Sequence, residues 1–586
     1  MKKNIFSILL IAAAATTSMS MTSCDSWIEE KPDGQITEEK VGDSEDAAKS
    51  WVTGVYSKWI YDMFCWGYFP RVIEIDADYI SGPDWMFNKF GTGNFQGEND
   101  VTDALWKGCY GLIARANKAE NRIEEMKNIT EAQKNNYIGE VRFQKALAYF
   151  LLVRAYGEIP IQSNDSKYEN VSQPRQPVDK VYEYITSTLE SAANMMYKNT
   201  DADWQAGHAS AGSAAGLLAK VYATEAASAM PAGTEITIRS GKTYNGSGDT
   251  QTYAPLRSIT LQKQAVSGYE ALDSKALYTK AAQWAKAVID GNYGSYELLA
   301  YDDLWKRTSA TASEFMFSVG SVSGDATYKN AIHTQYAGYK TATGSDFIQE
   351  GGWIGCTRHW YDLFDHDDLR IVKGVKHRWR AYTQEASNSG FYYPKDEEYT
   401  IKATGYNLNG EHVDEPSGIY ADGVSYYYSM DSQCLAFTTK YDDVTNDAIK
   451  DADCNWPFLR YADVLLIYAE AENELGNSGE AIKYLNEVRH RSNAHEAALE
   501  GVGALDTQSK RRSAIIEERA KEFACEGDRR WDLIRWGIYL DAMNALEGSD
   551  DSGVSKVRQQ RCLLYPLPAS EINTNKYITK NNPGWN

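Results

Sequence analysis

The sequence has little positive charge for its size. Across 586 residues, 60 Lys+Arg face 81 Asp+Glu, a formal net charge of −21. That deficit excludes a duplex nucleic-acid binder, which needs a basic footprint. It also excludes attachment to anionic lipid through a polybasic patch. The short motifs of common catalysts are missing too. There is no HExxH zinc helix and no GxSxG elbow. Gly241-Lys242-Thr243 ends like a phosphate-binding loop, but Ile236 occupies the first glycine position. Gly91-Thr92-Gly93 lacks the third glycine of a dinucleotide loop. The cysteines Cys24, Cys65, Cys109, Cys356, Cys434, Cys454, Cys525 and Cys562 include no CxxC pair, which argues against a zinc knuckle or a thioredoxin-like site. A disulfide such as Cys434–Cys454 cannot be deduced from spacing, and most of these thiols read as buried packing residues. His359, Asp362 and His366 have the spacing of metal ligands on one helical face, but a polar helix end at the surface accounts for them better. A glycosidase needs two carboxylates flanking the scissile bond, and among 81 acidic residues such a pair carries no information. No catalytic residue, metal or cofactor is therefore assigned.

Aromatic residues are plentiful: 40 Tyr, 16 Trp and 16 Phe. Rings in that number make a ring-stacking ligand such as a carbohydrate worth testing. At the N-terminus, Lys2 and Lys3 precede an apolar stretch from Ile5 to Ala15 that is too short to span a bilayer and reads as an export signal. A run of small and polar residues, Thr16 to Ser23, leads to Cys24. This junction resembles a bacterial lipobox, in which the cysteine is lipidated, although Met21 and Thr22 depart from its commoner residues. Several acyl chains hold a soluble domain far more firmly than one. Asp25-Ser26-Trp27-Ile28-Glu29-Glu30 then forms an acidic tether, similar to export signals of Bacteroidetes-type surface lipoproteins. The expected division is a signal peptide over 1–23, a tether over 24–43 and one domain over 44–586.

Within that domain helical periodicity dominates both ends. Apolar spacing predicts helices over Ser44–Met63, Val101–Lys127, Glu131–Tyr156, Val178–Tyr197, Ser210–Ala229, Lys275–Ile289 and Phe458–Leu475. The last carries an apolar stripe through Tyr461, Val464, Leu465, Tyr468 and Ala471, and an acidic one through Asp463, Glu470 and Glu474. Gly476-Asn477 stops it before a helix over Ala481–Arg491, and the pair resembles a tetratricopeptide hairpin. The fold class expected is mostly α, a helical scaffold over 44–299 and 456–545 with a C-terminal tail over 546–586. Residues 230–270 read as loops or a short hairpin. The insertion over 300–455 has few long periodic segments and one strand at Glu314–Val319. Residues 300–430 hold 14 Tyr, 4 Trp and 5 Phe, an enrichment in loops, where recognition residues tend to sit.

Four segments together resemble the SusD/RagB family of surface glycan-binding lipoproteins. They are Glu140 to Pro160, Pro457 to Ala471, Ile516 to Gly537, and the tail Tyr565-Pro566-Leu567-Pro568 with Asn582-Pro583-Gly584-Trp585. They run in the family's order. Arg529, Arg530 and Arg535 near Glu517, Glu518 and Asp532 suggest ion pairs between packed helices. The resemblance implies a non-enzyme that captures a glycan at the outer membrane, lipid-anchored and facing the cell exterior. It also implies a partner, a TonB-dependent SusC-like porin. A helical-toroid glycoside hydrolase and a tetratricopeptide-type interaction scaffold are the rival readings, distinguishable by reducing-sugar release and by peptide binding without glycan binding.

A sugar ring presents C–H groups on its faces, which pack on the electron-rich face of Trp or Tyr, while nearby amides and charges fix its hydroxyls. Gly82-Pro83-Asp84-Trp85-Met86-Phe87-Asn88 offers that combination. So does His333-Thr334-Gln335-Tyr336-Ala337-Gly338-Tyr339, followed by Gly351-Gly352-Trp353-Ile354. By position Trp85, Asn88, Tyr339 and Trp353 resemble the family's aromatic arc, with Phe87 and Tyr336 beside them as further candidates. The competing explanation is that the two tryptophans are loop anchors buried in the fold.

Overall fold

The computed structural model describes residues 42–60, 68–82, 100–162, 164, 172–245, 252–325, 329–336, 354–380, 389–394, 425–427, 435–445, 453–548 and 554–585. Its helices are α1 (Glu45–Lys58), α2 (Tyr68–Glu74), α3 (Asp100–Glu125), α4 (Glu131–Tyr156), α5 (Val178–Met195), α6 (Ala211–Ala229), α7 (Ser274–Ile289), α8 (Ile332–Tyr336), α9 (Arg358–Tyr361), α10 (Tyr461–Leu475), α11 (Ser478–Arg491), α12 (Gln508–Glu522), α13 (Arg529–Arg535) and α14 (Tyr539–Asn544), with a few single turns besides. The scaffold is mostly α, as its periodicity requires.

Consecutive helices α3 to α7 pack each on the next, and α10 then joins α7 before α11 and α12 continue the stack. Their starts are set locally. Thr130 and Gln133 form a reciprocal capping box at α4, and Ser210 with Ser213 does the same at α6. Gly476, at φ 93°, supplies the left-handed residue that ends α10 and turns the chain into α11. Helix α6 is buried along nearly its whole length. It reaches that depth because it is rich in Ala and Gly: a Cβ on Gly216 would meet Leu459 and Met316 at 3.0 Å.

The strands are few and short: β1 (Ile80–Ser81), β2 (Glu235–Ser240), β3 (Arg257–Gln262), β4 (Phe315–Val319), β5 (Gly355–Cys356), β6 (Arg378–Arg380), β7 (Ser389–Tyr392), β8 (Ser425–Tyr427) and β9 (Trp456–Arg460). The segment read as loops or a hairpin is the antiparallel pair β2–β3, in register from Glu235↔Gln262 to Ser240↔Arg257. It docks on α12, where the Thr237 amide donates to Ser513 Oγ at 2.9 Å.

Three expectations change. The helix read from Phe458 begins at Tyr461 instead, because Trp456–Arg460 pairs antiparallel with β4 and Arg460 is extended. The acidic stripe of that helix does not face water. Asp463 meets Lys220 at 2.8 Å and Arg519 at 2.6 Å, Glu470 meets Arg535 at 2.6 Å, and Glu474 meets Arg512 at 2.5 Å, all buried. The arginines of α12 and α13 do pair between elements, but mostly with distant partners. Arg529 meets Asp78 at 2.6 Å, Arg530 meets Asp76 at 3.4 Å, and Glu518 meets Arg370 at 2.6 Å; only Arg535–Asp532 at 2.7 Å joins members of the expected set. A buried charge needs a partner, so these pairs fix which segments stand beside which.

Candidate functional site

Trp85, Phe87, Asn88, Tyr339 and Trp353 lie outside the described residues, as does Cys24 with the tether. The residues that flank the two aromatic segments are described, and they meet. Strands β1 and β5 pair antiparallel, with Ile80 opposite Cys356 and Ser81 opposite Gly355. The chain positions that enter 83–99 and leave 337–353 are therefore neighbours across one short ladder. The other end of 337–353 is fixed at the same place, because the Ile354 amide donates to the Gln335 carbonyl at 2.8 Å. A third segment arrives as well: Cys356 and Ala436 exchange backbone hydrogen bonds at 3.0 and 2.9 Å.

The ladder is held from below. Thr357 N–H donates to the Tyr79 carbonyl at 2.9 Å, and Arg71 Nε donates to Gln335 Oε1 at 3.2 Å. Gly355 is required by space. A Cβ there would stand 2.7 Å from Leu435 Cβ, so the third segment could not approach.

Tyr336 is described, and its place is the core. It is fully buried in α8, with its ring 5.1 Å from Tyr441 and 6.3 Å from Trp456. Tyr441 and Trp456 stack at 5.8 Å and 8°, and the Tyr441 hydroxyl donates to the Cys525 carbonyl at 2.6 Å. Tyr336 thus anchors the start of 337–353 against protein rings, with no face open to a ligand in this structure. Beneath it, burial pushes the Glu74 carboxyl up to about 8, and its Oε1 accepts from the Cys525 amide at 2.9 Å.

His359 and His366 do not share a helical face. Helix α9 has one turn, His359 is fully buried in it and His366 is exposed beyond its end. The expected polar surface helix end is therefore replaced, for His359, by a core position. Burial pushes its imidazole down to about 4, so it is neutral, with Nε2 3.3 Å from the Ala254 carbonyl. No group of three metal-ligating side chains occurs among the described residues. Cys109, Cys356, Cys454, Cys525 and Cys562 are buried and free, so Cys454 forms no disulfide here. What the sequence could not reveal is the set of supporting residues, Ser81, Gln335, Gly355, Cys356 and Ala436. Their only signal is tertiary pairing.

Comparison with known proteins is consistent along the chain. A model described as the SusD family matches residues 313–585, and a second, described as starch-binding associating with outer membrane, matches residues 26–223. A SusD-like protein of Formosa agariphila is 25% identical over 97% of this chain and 98% of its own. Among solved structures, a SusD homolog from Bacteroides thetaiotaomicron superposes with a TM-score of 0.70 at 21% identity, over 94% of this chain and 99% of the other. A laminarin-binding SusD-like protein superposes with a TM-score of 0.61 at 21% identity, over 93% of this chain and 100% of the other. The order of the four motifs, the helical stack and these likenesses agree: the chain belongs to the SusD/RagB family.

Proposed function

We propose that this protein is a non-catalytic glycan-binding lipoprotein of the outer membrane, anchored through Cys24 and displayed outward. It holds a polysaccharide or oligosaccharide and passes it to a TonB-dependent SusC-like porin. The observation that carries the reading is the β1–β5 ladder, which seats two aromatic segments, remote in sequence, on one short support. A binding face built from Trp85, Phe87 and Asn88 on one side and Tyr339 and Trp353 on the other follows from that seating. The laminarin-binding and starch-binding relatives favour a carbohydrate as the ligand.

The test is a glycan array on the soluble form beginning after Cys24, followed by titration of the best ligand into Trp85→Ala and Trp353→Ala. Stacking on such rings, where measured for nucleobases, is worth roughly 1–3 kcal/mol each. Each variant should therefore bind about tenfold more weakly or worse, with an unchanged circular dichroism spectrum. Wild-type affinity in both folded variants would move the site elsewhere.

A further inference from the structure

Buried arginines in this chain have carboxylate partners almost throughout. Arg370 has Asp368 and Glu518, Arg460 has Glu314 and Glu526, and Arg529 has Asp78. One region departs from that rule. A cleft of about 840 Å³ opens where the C-terminal end of α4, the start of α5, helices α13 and α14 and the tail meet. That volume is within the usual range for a small-molecule site.

Arg154, Arg175 and Arg561 line the cleft. Arg175 and Arg561 make no ion pair among the described residues, and Arg154 Nη1 reaches only to 3.9 Å from Asp528. Arg175 is spent on neutral oxygens, donating to the Glu158 carbonyl at 2.7 Å and to Asn582 Oδ1 at 2.6 Å. Burial depresses both Arg154 and Arg175 below the ordinary guanidinium value, because nearby carboxylates do not compensate it. Three donors that line this space, Arg154 Nε, Arg561 Nε and Trp531 Nε1, are buried with no acceptor. An unmet buried donor is costly, and a cluster of three beside a cavity calls for oxygen from outside the chain.

The same walls carry Glu158, Asp179 and Asp541. These would repel a compact dianion such as sulfate or phosphate, but they accept from hydroxyl groups. A ligand bearing one carboxylate and several hydroxyls meets both demands.

We propose that this cleft is a second ligand site, separate from the aromatic segments, and that it takes a uronic acid residue of an oligosaccharide. In it the guanidinium groups and the Trp531 indole hold the carboxylate and ring oxygens, while Glu158, Asp179 and Asp541 accept from hydroxyls. The choice of a sugar rests on the glycan reading above; the demand for an acceptor-rich acid rests on the cleft alone.

The experiment is calorimetric titration of trigalacturonate into the full chain in detergent, with galactotriose and sodium sulfate as controls. Arg561→Ala is the main variant, because its side chain is bonded to no other residue and only lies over Trp585, at 4.6 Å. One saturable site is expected, with galactotriose at least tenfold weaker and sulfate unable to displace the acid at equal concentration. Arg561→Ala should weaken trigalacturonate about tenfold or more at an unchanged melting temperature. As a readout independent of any arginine variant, the Trp531 indole resonance, assigned through Trp531→Phe, should shift on binding. Wild-type affinity in folded Arg561→Ala, an unmoved Trp531 resonance, displacement by sulfate or absence of binding would each overturn the proposal. Trp85→Ala and Trp353→Ala report on the other site, so failure of one reading is distinguishable from failure of the other.

Discussion

Arg460 sits at the last residue of β9, fully enclosed, with Glu314 at 2.7 Å, Glu522 at 3.0 Å and Glu526 at 2.8 Å. Three carboxylates around one guanidinium tie β4, β9 and α12 together through a single side chain. Replacing it leaves those charges buried and short of their main counterion, which typically costs about 3–5 kcal/mol. Arg460→Leu should therefore lower the urea midpoint sharply, and an unmoved midpoint would show that the cluster is not structural. Glu518 makes the same point through pH. Burial alone would raise its carboxyl, but Arg370 and Arg489 outweigh that and hold it at about 2. An unfolded chain releases its grip on that group, which then titrates near the ordinary 4.5. Between those values the unfolded state binds the extra proton, so stability falls as pH drops from about 4.5 toward 2. Glu518→Gln should flatten the slope of unfolding free energy across that window. A slope identical to wild type would mean the ion pair contributes nothing there.

At the scale of elements, what was legible depended on how local the cause was. Helix α4 spans Glu131–Tyr156 as its periodicity demands, since its capping box, apolar spacing and terminal Gly157 all lie within its own stretch of sequence. Strand β9 was hidden inside a helical pattern because its partner β4 lies some 140 residues earlier, and pairing is not written in either segment alone. The acidic stripe of α10 misled for a related reason. Charge on one face usually means water, and only the arginines arriving from α12 and α13 make that face interior. The aromatic segments could be picked out by composition, whereas their common support could not, because Ser81 and Gly355 meet only in the fold. That support predicts a variant. Adding one methyl at Gly355 drives a Cβ against Leu435, and such overpacking typically costs about 1–3 kcal/mol. Gly355→Ala should lower the melting temperature modestly and weaken glycan binding, because all three segments leave from this ladder. Full affinity at a lowered melting temperature would uncouple the ladder from the binding face.

At the scale of the whole molecule, the question is what holds a chain of net charge −21 at a membrane. No helix of the described residues is long and apolar enough to cross one, and the charge opposes adsorption to anionic lipid. Two attachments remain in the proposed function, acyl chains on Cys24 and a porin partner, and they separate experimentally. Layered helices that cross-link through buried ion pairs form a stiff body, suited to cover another protein over a wide area. Gentle detergent extraction of native membranes should therefore copurify a much larger outer-membrane β-barrel with this chain. In cells that lack that barrel, Cys24→Ala should move the protein wholly to the soluble fraction, since neither attachment is left. With the barrel present, the same variant should stay partly membrane-bound, in proportion to the strength of the complex. A Cys24→Ala protein that pellets with membranes at high salt without the barrel would place the anchor elsewhere. Repeated isolation of the lipidated chain alone, with glycan present, would remove the porin from the proposal while leaving glycan binding intact.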